Sequence, residues 1–337
     1  MGYMRALYTG NAIYGELPEG CKLCLRGLKT VVFVTGLCPR DCFYCPLSAE
    51  RRGRDVFLVN ERPSRGIKDV IAEIASCGSR GIGVTGGDPL ARLDRTLAVI
   101  EAAKGFYGKD FHVHLYTSGK TLTSSILRKL EEAGLDELRL HPDPRDIERV
   151  LEVLEKEQPQ FKVGFEIPVL PGAIKETLEF LERVSRCECV SFVNMNELEF
   201  SESNSASLKA RGYTLSNDWR SAEGSREAAI RVLEEAEKQS LRLNLHFCPA
   251  LSKDRYQVRL RLYKRGVLSA MPHELVSDGG TILKALIAEG CENAPPILVF
   301  RGRLGSETSI LSAEIAGASY QVLEELPDYF RTLLNII

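Results

Sequence analysis

The sequence predicts an α/β protein built on a parallel sheet, and three features carry that expectation. From Thr30 onward, short β-branched or alternating runs recur, each closed by a Gly, Pro or Asp turn and followed by an amphipathic stretch of helical period. Alternating units of this kind imply parallel strands, and right-handed crossovers wrap such strands into an open or closed barrel. At 337 residues the chain is long enough for one large domain of this type and a smaller appendage.

Residues 1–29 form a lead-in of tyrosines, glycines and one proline without regular period, ending in a Cys21-Lys22-Leu23-Cys24 knuckle. Strands are expected at 30–34, 81–84, 111–116, 137–140, 163–168, 190–195 and 241–247. Helices are expected near 66–76, 94–104, 123–133, 145–156, 174–186 and 224–240. The barrel thus occupies 30–248, and 249–337 form a C-terminal accessory region of α+β character, with β-like runs at 281–288 and 296–301, a break at Pro295-Pro296 and an apolar end, YFRTLLNII.

A formal net charge of -2 gives the whole chain no bias toward phosphate backbones or anionic membranes. The first residues lack a signal-peptide core and no later run is apolar enough to span a bilayer, so a cytoplasmic protein without a membrane partner is expected. In that setting ten cysteines point to metal ligation rather than disulfides.

The first expected strand runs into VTGLCPRDCFYCP, which spaces Cys38, Cys42 and Cys45 as C-x3-C-x2-C. Three soft thiolates on one short loop can hold three irons of a cubane cluster and leave the fourth open to chemistry. A closed structural zinc loop is the competing reading, but it wants four ligands, usually as paired C-x2-C knuckles. The second expected strand ends in a glycine turn, Thr85-Gly86-Gly87-Asp88-Pro89.

These residues resemble the signature of the radical S-adenosylmethionine (radical SAM) enzymes, C-x3-C-x-aromatic-C, with Tyr44 in the aromatic slot. The resemblance implies a [4Fe-4S] cluster on Cys38, Cys42 and Cys45, with its open iron chelated by SAM and Tyr44 near the adenine. Thr85, Gly86, Gly87 and Asp88 are similar to the family's GGE motif, which receives the SAM amino group; Asp88 stands where Glu is usual. The implied fold is an incomplete (β/α)6-type barrel, extended to a seventh strand if 241–247 joins it. The implied activity is reductive cleavage of SAM to a 5′-deoxyadenosyl radical, fed by an external reductant of flavodoxin or ferredoxin type, for hydrogen abstraction from an unidentified substrate. Within the superfamily the chain looks like a group related to pyruvate formate-lyase activating enzymes. Activation of a glycyl-radical enzyme, modification of RNA or a peptide, and chemistry on a small molecule all stay open. A non-catalytic iron–sulfur electron-transfer module is the rival; it would need the cluster but no SAM site.

Period-two alternation adds an independent observation. Phe111, Val113 and Leu115 would face the helices and leave His112, His114 and Tyr116 inside, and Arg139, His141, Glu166 and His246 fall on the same inner face of their strands. Conventional eight-stranded barrels fill the interior with branched aliphatics. A polar lumen instead suits a polar cofactor, substrate and water. His141 and Glu166 are expected beside the cofactor and His114 beside the substrate. The long connection after the 190–195 strand opens with Asn194, Asn196, Glu197 and Glu199 at the strand's C-terminal end, which makes them substrate candidates.

Cys21, Cys24, His246 and Cys248 could close a Cys3His zinc or iron site that staples the lead-in to the far edge of the open barrel. Alternatives are an auxiliary iron–sulfur cluster on the three cysteines, or reduced buried thiols. Cys77, Cys187, Cys189 and Cys291 are read as small apolar residues or free thiols. Finally, 252–265, SKDRYQVRLRLYKR, sets six basic residues against one acidic, a cluster that reads either as a solvated helix face or as a grip for RNA, phosphate or an acidic peptide.

Overall fold

The computed structural model describes residues 3–272, 274–287 and 320–336. The expected strand at 296–301, Cys291 and the Pro295-Pro296 break lie outside them. Two short strands, β1 (Met4–Ala6) and β2 (Ala12–Tyr14), lead into helix α1 (Glu19–Leu25). Strand β3 (Lys29–Phe33) follows, then the cysteine loop, a small hairpin of β4 (Leu58–Val59) and β5 (Arg62–Pro63), and α2 (Ile67–Cys77). Next come β6 (Gly81–Thr85) and α3 (Leu93–Tyr107), β7 (His112–Thr117) and α4 (Ser124–Glu132), and β8 (Glu137–Leu140) and α5 (Ile147–Glu157). The set ends with β9 (Lys162–Val169) and α6 (Ile174–Val184), β10 (Val190–Glu197) with α7 (Ser205–Lys209) and α8 (Ser225–Lys238), and β11 (Asn244–Cys248). Beyond it, α9 (Ala250–Ser252), a π-helical turn over 253–258 and α10 (Arg259–Ser269) lead to an antiparallel sheet of β12 (Leu275–Val276), β13 (Ile282–Ile287), β14 (Tyr320–Glu325) and β15 (Leu333–Ile336).

All seven expected barrel strands form, and they are parallel neighbours in the order β11-β10-β9-β8-β7-β6-β3. The strand expected at 241–247 therefore joins as the seventh. The sheet ends in β1 on one side and β5 on the other, so the barrel stays open.

The helices bury the stripes their periodicity predicts: α5 turns Ile147, Val150, Leu151 and Leu154 inward. Opposite them lie the outward faces of the strands, with Val113, Leu115, Leu138, Leu140, Phe165, Leu245 and Phe247 fully buried. Local signals set the helix ends. The Thr123 hydroxyl accepts from the Ile126 amide at the start of α4, and Gly78 stops α2 with φ +58°.

The lead-in departs from its aperiodic reading. Strand β2 pairs antiparallel with β11, Tyr14 opposite Leu245 and Ala12 opposite Phe247. The exposed edge is thus covered by backbone hydrogen bonds, with no metal needed as a staple. Three-residue strands are too short to show a period, which is why the sequence hid them.

Candidate active site

The cysteine loop is seated on the end of β6. The Val34 amide donates to the Thr85 carbonyl (2.8 Å), the Gly87 amide to that of Thr35 (2.7 Å) and the Asp88 amide to that of Leu37 (2.7 Å). A Cβ at Gly87 would stand 2.5 Å from the Leu37 oxygen and 2.6 Å from that of Gly36, so only glycine lets the two backbones approach. The paired glycines are thus a physical consequence of where the cysteine loop runs.

Cys38, Cys42 and Cys45 open onto a cavity of about 530 Å³ at the C-terminal ends of the strands. Its other walls include Tyr44, Thr85, Gly86, Gly87, Thr117, Ser118, Arg139, His141, Glu166, Asn196, Glu197, Glu199 and Lys253. Burial pushes the Cys38 and Cys42 thiols above their ordinary range, partly offset by a backbone hydrogen bond at Arg40 for Cys38 and by the Arg40 charge for Cys42. Among the described residues no three His, Cys, Asp or Glu side chains are gathered tightly enough to hold an ion as they stand. Any thiol set here would close upon its metal.

Asp88 behaves differently from its expected role. Its side chain is fully buried, where Oδ1 accepts from the Leu90 amide (3.0 Å) and the Thr117 hydroxyl (2.8 Å), and Oδ2 from the Ser118 amide (3.1 Å) and hydroxyl (2.5 Å). The carboxylate fixes the end of β7, and of this turn Thr85, Gly86 and Gly87 line the cavity. A shorter side chain than Glu stays under the turn and braces it.

Tyr44 and His141 form a pair. The His141 Nδ1–H donates to the Glu166 carbonyl (2.5 Å), which leaves Nε2 to accept from the Tyr44 hydroxyl (2.8 Å). Burial pushes the His141 pKa down, so the neutral ring suits this arrangement. Arg40 clasps the His141 carbonyl from the other side.

Below this level the polar lumen is organised by Arg139. Its guanidinium meets Glu137, Glu166 (3.3 Å), the Tyr116 hydroxyl (3.2 Å) and the Cys21 thiol (3.3 Å), and it stacks over Tyr116 and Phe192. Burial alone would raise the Glu137 carboxyl, but Arg139 and His112 draw it down to about 2. Glu166 also accepts from Asn194 (2.9 Å) and Asn196 (2.8 Å), one amide to each oxygen. Lys253 pairs with Glu199 across the cavity wall; burial opposes its charge, and Glu199 and Cys248 raise its pKa nonetheless.

Not every expected contact is at the site. His114 is fully buried beneath Gly20 of α1, with Nε2 3.4 Å from Lys29, and it lines no part of the cavity. The alternation placed it correctly inside, but α1, invisible in the sequence, fills the space between it and any substrate. Asn194 is likewise buried and reaches the cavity only through Glu166. In the basic segment, Arg261 pairs with Glu61 and Arg265 with Glu73, both guanidinium groups buried, and Lys253 with Glu199. Three of the six cations that motivated an RNA grip are therefore held in ion pairs within the fold. Cys187 and Cys189 lie 2.8 Å apart before β10, at the opposite end of the strand from the cavity. Thr117, Ser118 and Arg40 were not singled out by the sequence. The signal available was that Thr117-Ser118-Gly119 ends its strand as Thr85-Gly86-Gly87 ends the neighbouring one.

The buried ionic network makes stability depend on pH. Burial beside Lys29 and Arg139 pushes His114 well below its usual 6.5, and Glu137 titrates at about 2 instead of 4.5. Both folded pKa values are depressed, so their stabilisation is present above the unfolded values and lost as pH falls. Thermal melts should give a plateau above pH ~6.5, and then a loss of about 1.4 kcal/mol per pH unit per buried neutral histidine, steepened below pH ~4.5 by Glu137. Stability that rose on acidification from pH 7 to 5 would contradict this network.

Comparison with known proteins follows the same line. The family model of the radical SAM superfamily matches residues 32–184. A protein of Methanocaldococcus jannaschii, named as a candidate glycyl-radical enzyme activating enzyme, is 38% identical over 284 residues, which span 81% of this chain and 74% of the relative. The chain belongs to the radical SAM superfamily. Among solved structures, it superposes on SuiB of Streptococcus suis with TM-score 0.45 at 11% identity, covering 66% of this chain and 49% of the other. For coproporphyrinogen III oxidase (HemN) of Escherichia coli, described as a radical SAM enzyme, the TM-score is 0.40 at 10% identity, covering 66% and 56%. The chain thus spans about half the length of these solved chains. Radical SAM membership makes the protein an enzyme and implies a [4Fe-4S] cluster and SAM. The donor set fits: three thiols on one loop share a cavity with a glycine backbone wall and a ring of polar side chains. Among the described residues, no helix is long and apolar enough to cross a membrane.

Proposed function

We propose that Cys38, Cys42 and Cys45 hold the [4Fe-4S] cluster, that SAM binds against the Gly86-Gly87 wall, and that the substrate occupies the polar half of the same cavity. The observation carrying this reading is that the three thiols, the glycine turn and Glu166, Asn196, Glu197, Glu199 and Lys253 share one enclosure of about 530 Å³. When bound, the cluster and SAM supply a 5′-deoxyadenosyl radical for hydrogen abstraction once an external one-electron donor of flavodoxin or ferredoxin type reduces the cluster.

The chain's own contribution is binding and orientation. The Gly86-Gly87 backbone offers hydrogen-bonding groups at close range, and Asp88 holds that turn rigid from beneath through Thr117 and Ser118. Tyr44, locked by His141, packs at the cluster end of the cavity. Glu166, with Asn194 and Asn196 each holding one oxygen, presents a fixed anion to a cationic group, while the Lys253–Glu199 pair offers both signs of charge to the substrate.

A second reading concerns the substrate. The name of the Methanocaldococcus jannaschii relative favours a protein partner that receives a glycyl radical. One anaerobic EPR experiment tests both readings. The reduced cluster's signal should change on adding SAM, and a partner protein, once added, should acquire a glycyl doublet. A cluster signal indifferent to SAM contradicts the first reading; SAM turnover supported by small molecules alone contradicts the second.

A further inference from the structure

Behind the active-site cavity lies a second one of about 60 Å³, lined by Cys21 and Cys24 of α1, Cys248 at the end of β11, and the cations Lys29, Arg139 and Lys253. All three thiols are buried and none belongs to the cluster loop. From the sequence alone, Cys24 should lie toward the bottom of the barrel and Cys248 toward the top. The structure removes that conflict by tucking α1 into the open barrel. Gly20 sits so close to Arg139 and His114 that a Cβ would stand 2.7 Å from each, and the next turn carries its two cysteines, three residues apart on one helix face, to the end of β11.

The local pairing of these cations points to a ligand. Arg139 is matched by Glu137 and Glu166, and Lys253 by Glu199. Lys29, partly buried on the same cavity, meets only His114 Nε2 at 3.4 Å and the Tyr116 ring at 5.8 Å, with no carboxylate at ion-pair distance among the described residues. An ammonium in such surroundings wants a counter-charge. A divalent ion on three thiolates carries one net negative charge and supplies it.

We propose that Cys21, Cys24 and Cys248 form a three-thiolate site for a single thiophilic divalent cation, zinc by the chemistry of its ligands, with Lys29 as the counter-cation. His246 is not the fourth ligand, because its Nε2 faces the Asn11 side-chain oxygen (2.8 Å) and its Nδ1 that of Asn194 (3.1 Å). It buttresses β11 against β2 and β10, and the fourth position falls to a water. The cavity, about 60 Å³, has room for one ion and a water beside it. Tyr116, Arg139, Glu166 and Asn196 line both cavities, so the ion stands across a wall one side chain thick from the reaction chamber. Binding exchanges three thiol protons for the ion, so uptake releases acid and tightens as pH rises.

The test uses the full-length chain with Cys38→Ala, Cys42→Ala and Cys45→Ala, which removes the cluster loop as a competitor. Added Co2+ should produce thiolate-to-metal absorption in the near ultraviolet, and X-ray absorption at the zinc edge should find three sulfur neighbours at about 2.3 Å. Cys24→Ser and Cys248→Ser, each added to this background, should weaken zinc binding at least ~100-fold. Should these further variants fail to fold, the sulfur count of the background chain decides alone. A folded background chain that takes up neither Co2+ nor zinc, zinc retained unchanged without Cys248, or a sulfide-bridged iron cluster at these cysteines would each overturn the proposal.

Discussion

Replacing Arg139 by alanine should cost the barrel about 3–5 kcal/mol, the usual price of removing one partner from a buried ion pair. The guanidinium is buried at the centre of the lumen, and its loss would strand Glu137, itself 2% exposed, and remove one of the three side-chain partners of Glu166 and the contact to Cys21. Arg139→Lys should fall between the two, because an ammonium keeps the charge but cannot reach Glu137, Glu166 and Tyr116 at once from a planar fork. Urea titrations measure both. An unchanged midpoint in the alanine variant would mean that the polar lumen is solvated rather than braced.

Gly87→Val should empty the cluster loop while leaving the barrel folded. The added Cβ would meet the backbone oxygens of Leu37 and Gly36 at 2.5 and 2.6 Å, and backbone cannot swing aside as a side-chain end can. The loop carrying Cys38 must lift off β6, so iron bound after anaerobic reconstitution should fall at least ~10-fold with little change in circular dichroism. Gly105→Ala is the control: nothing lies within 4 Å of its added Cβ, and in the last turn of α3 it should leave iron content unchanged and raise stability slightly. Full iron loading in the valine variant would show that the glycine turn does not position the cluster loop.

The seven parallel strands and their helices were legible because each unit carries its own period and its own punctuation. The loop proposed here to hold the cluster could likewise be singled out, because three cysteines at fixed spacing need no tertiary information. What stayed hidden depends on contacts between distant segments. Strands of three residues, β1 and β2, leave no pattern, and α1 is a short helix whose Gly20 and cysteines make sense only once it lies inside the barrel. That helix alone moves His114 from expected substrate contact to buried support. Asp88 reads as a ligand by motif but turns beneath the loop, a choice made by Thr117 and Ser118 on the next strand. The charge run at 252–265 likewise gives no sign of Glu61 and Glu73, about 200 residues upstream, which take up two of its arginines.

The most direct test of the central claim is product formation. The anaerobically reconstituted chain, given dithionite and SAM, should yield 5′-deoxyadenosine, and Cys38→Ala, Cys42→Ala and Cys45→Ala should each abolish it. Product persisting in any of the three variants, or none from a chain with a full cluster and bound SAM, would contradict the assignment of this cavity as a radical SAM active site.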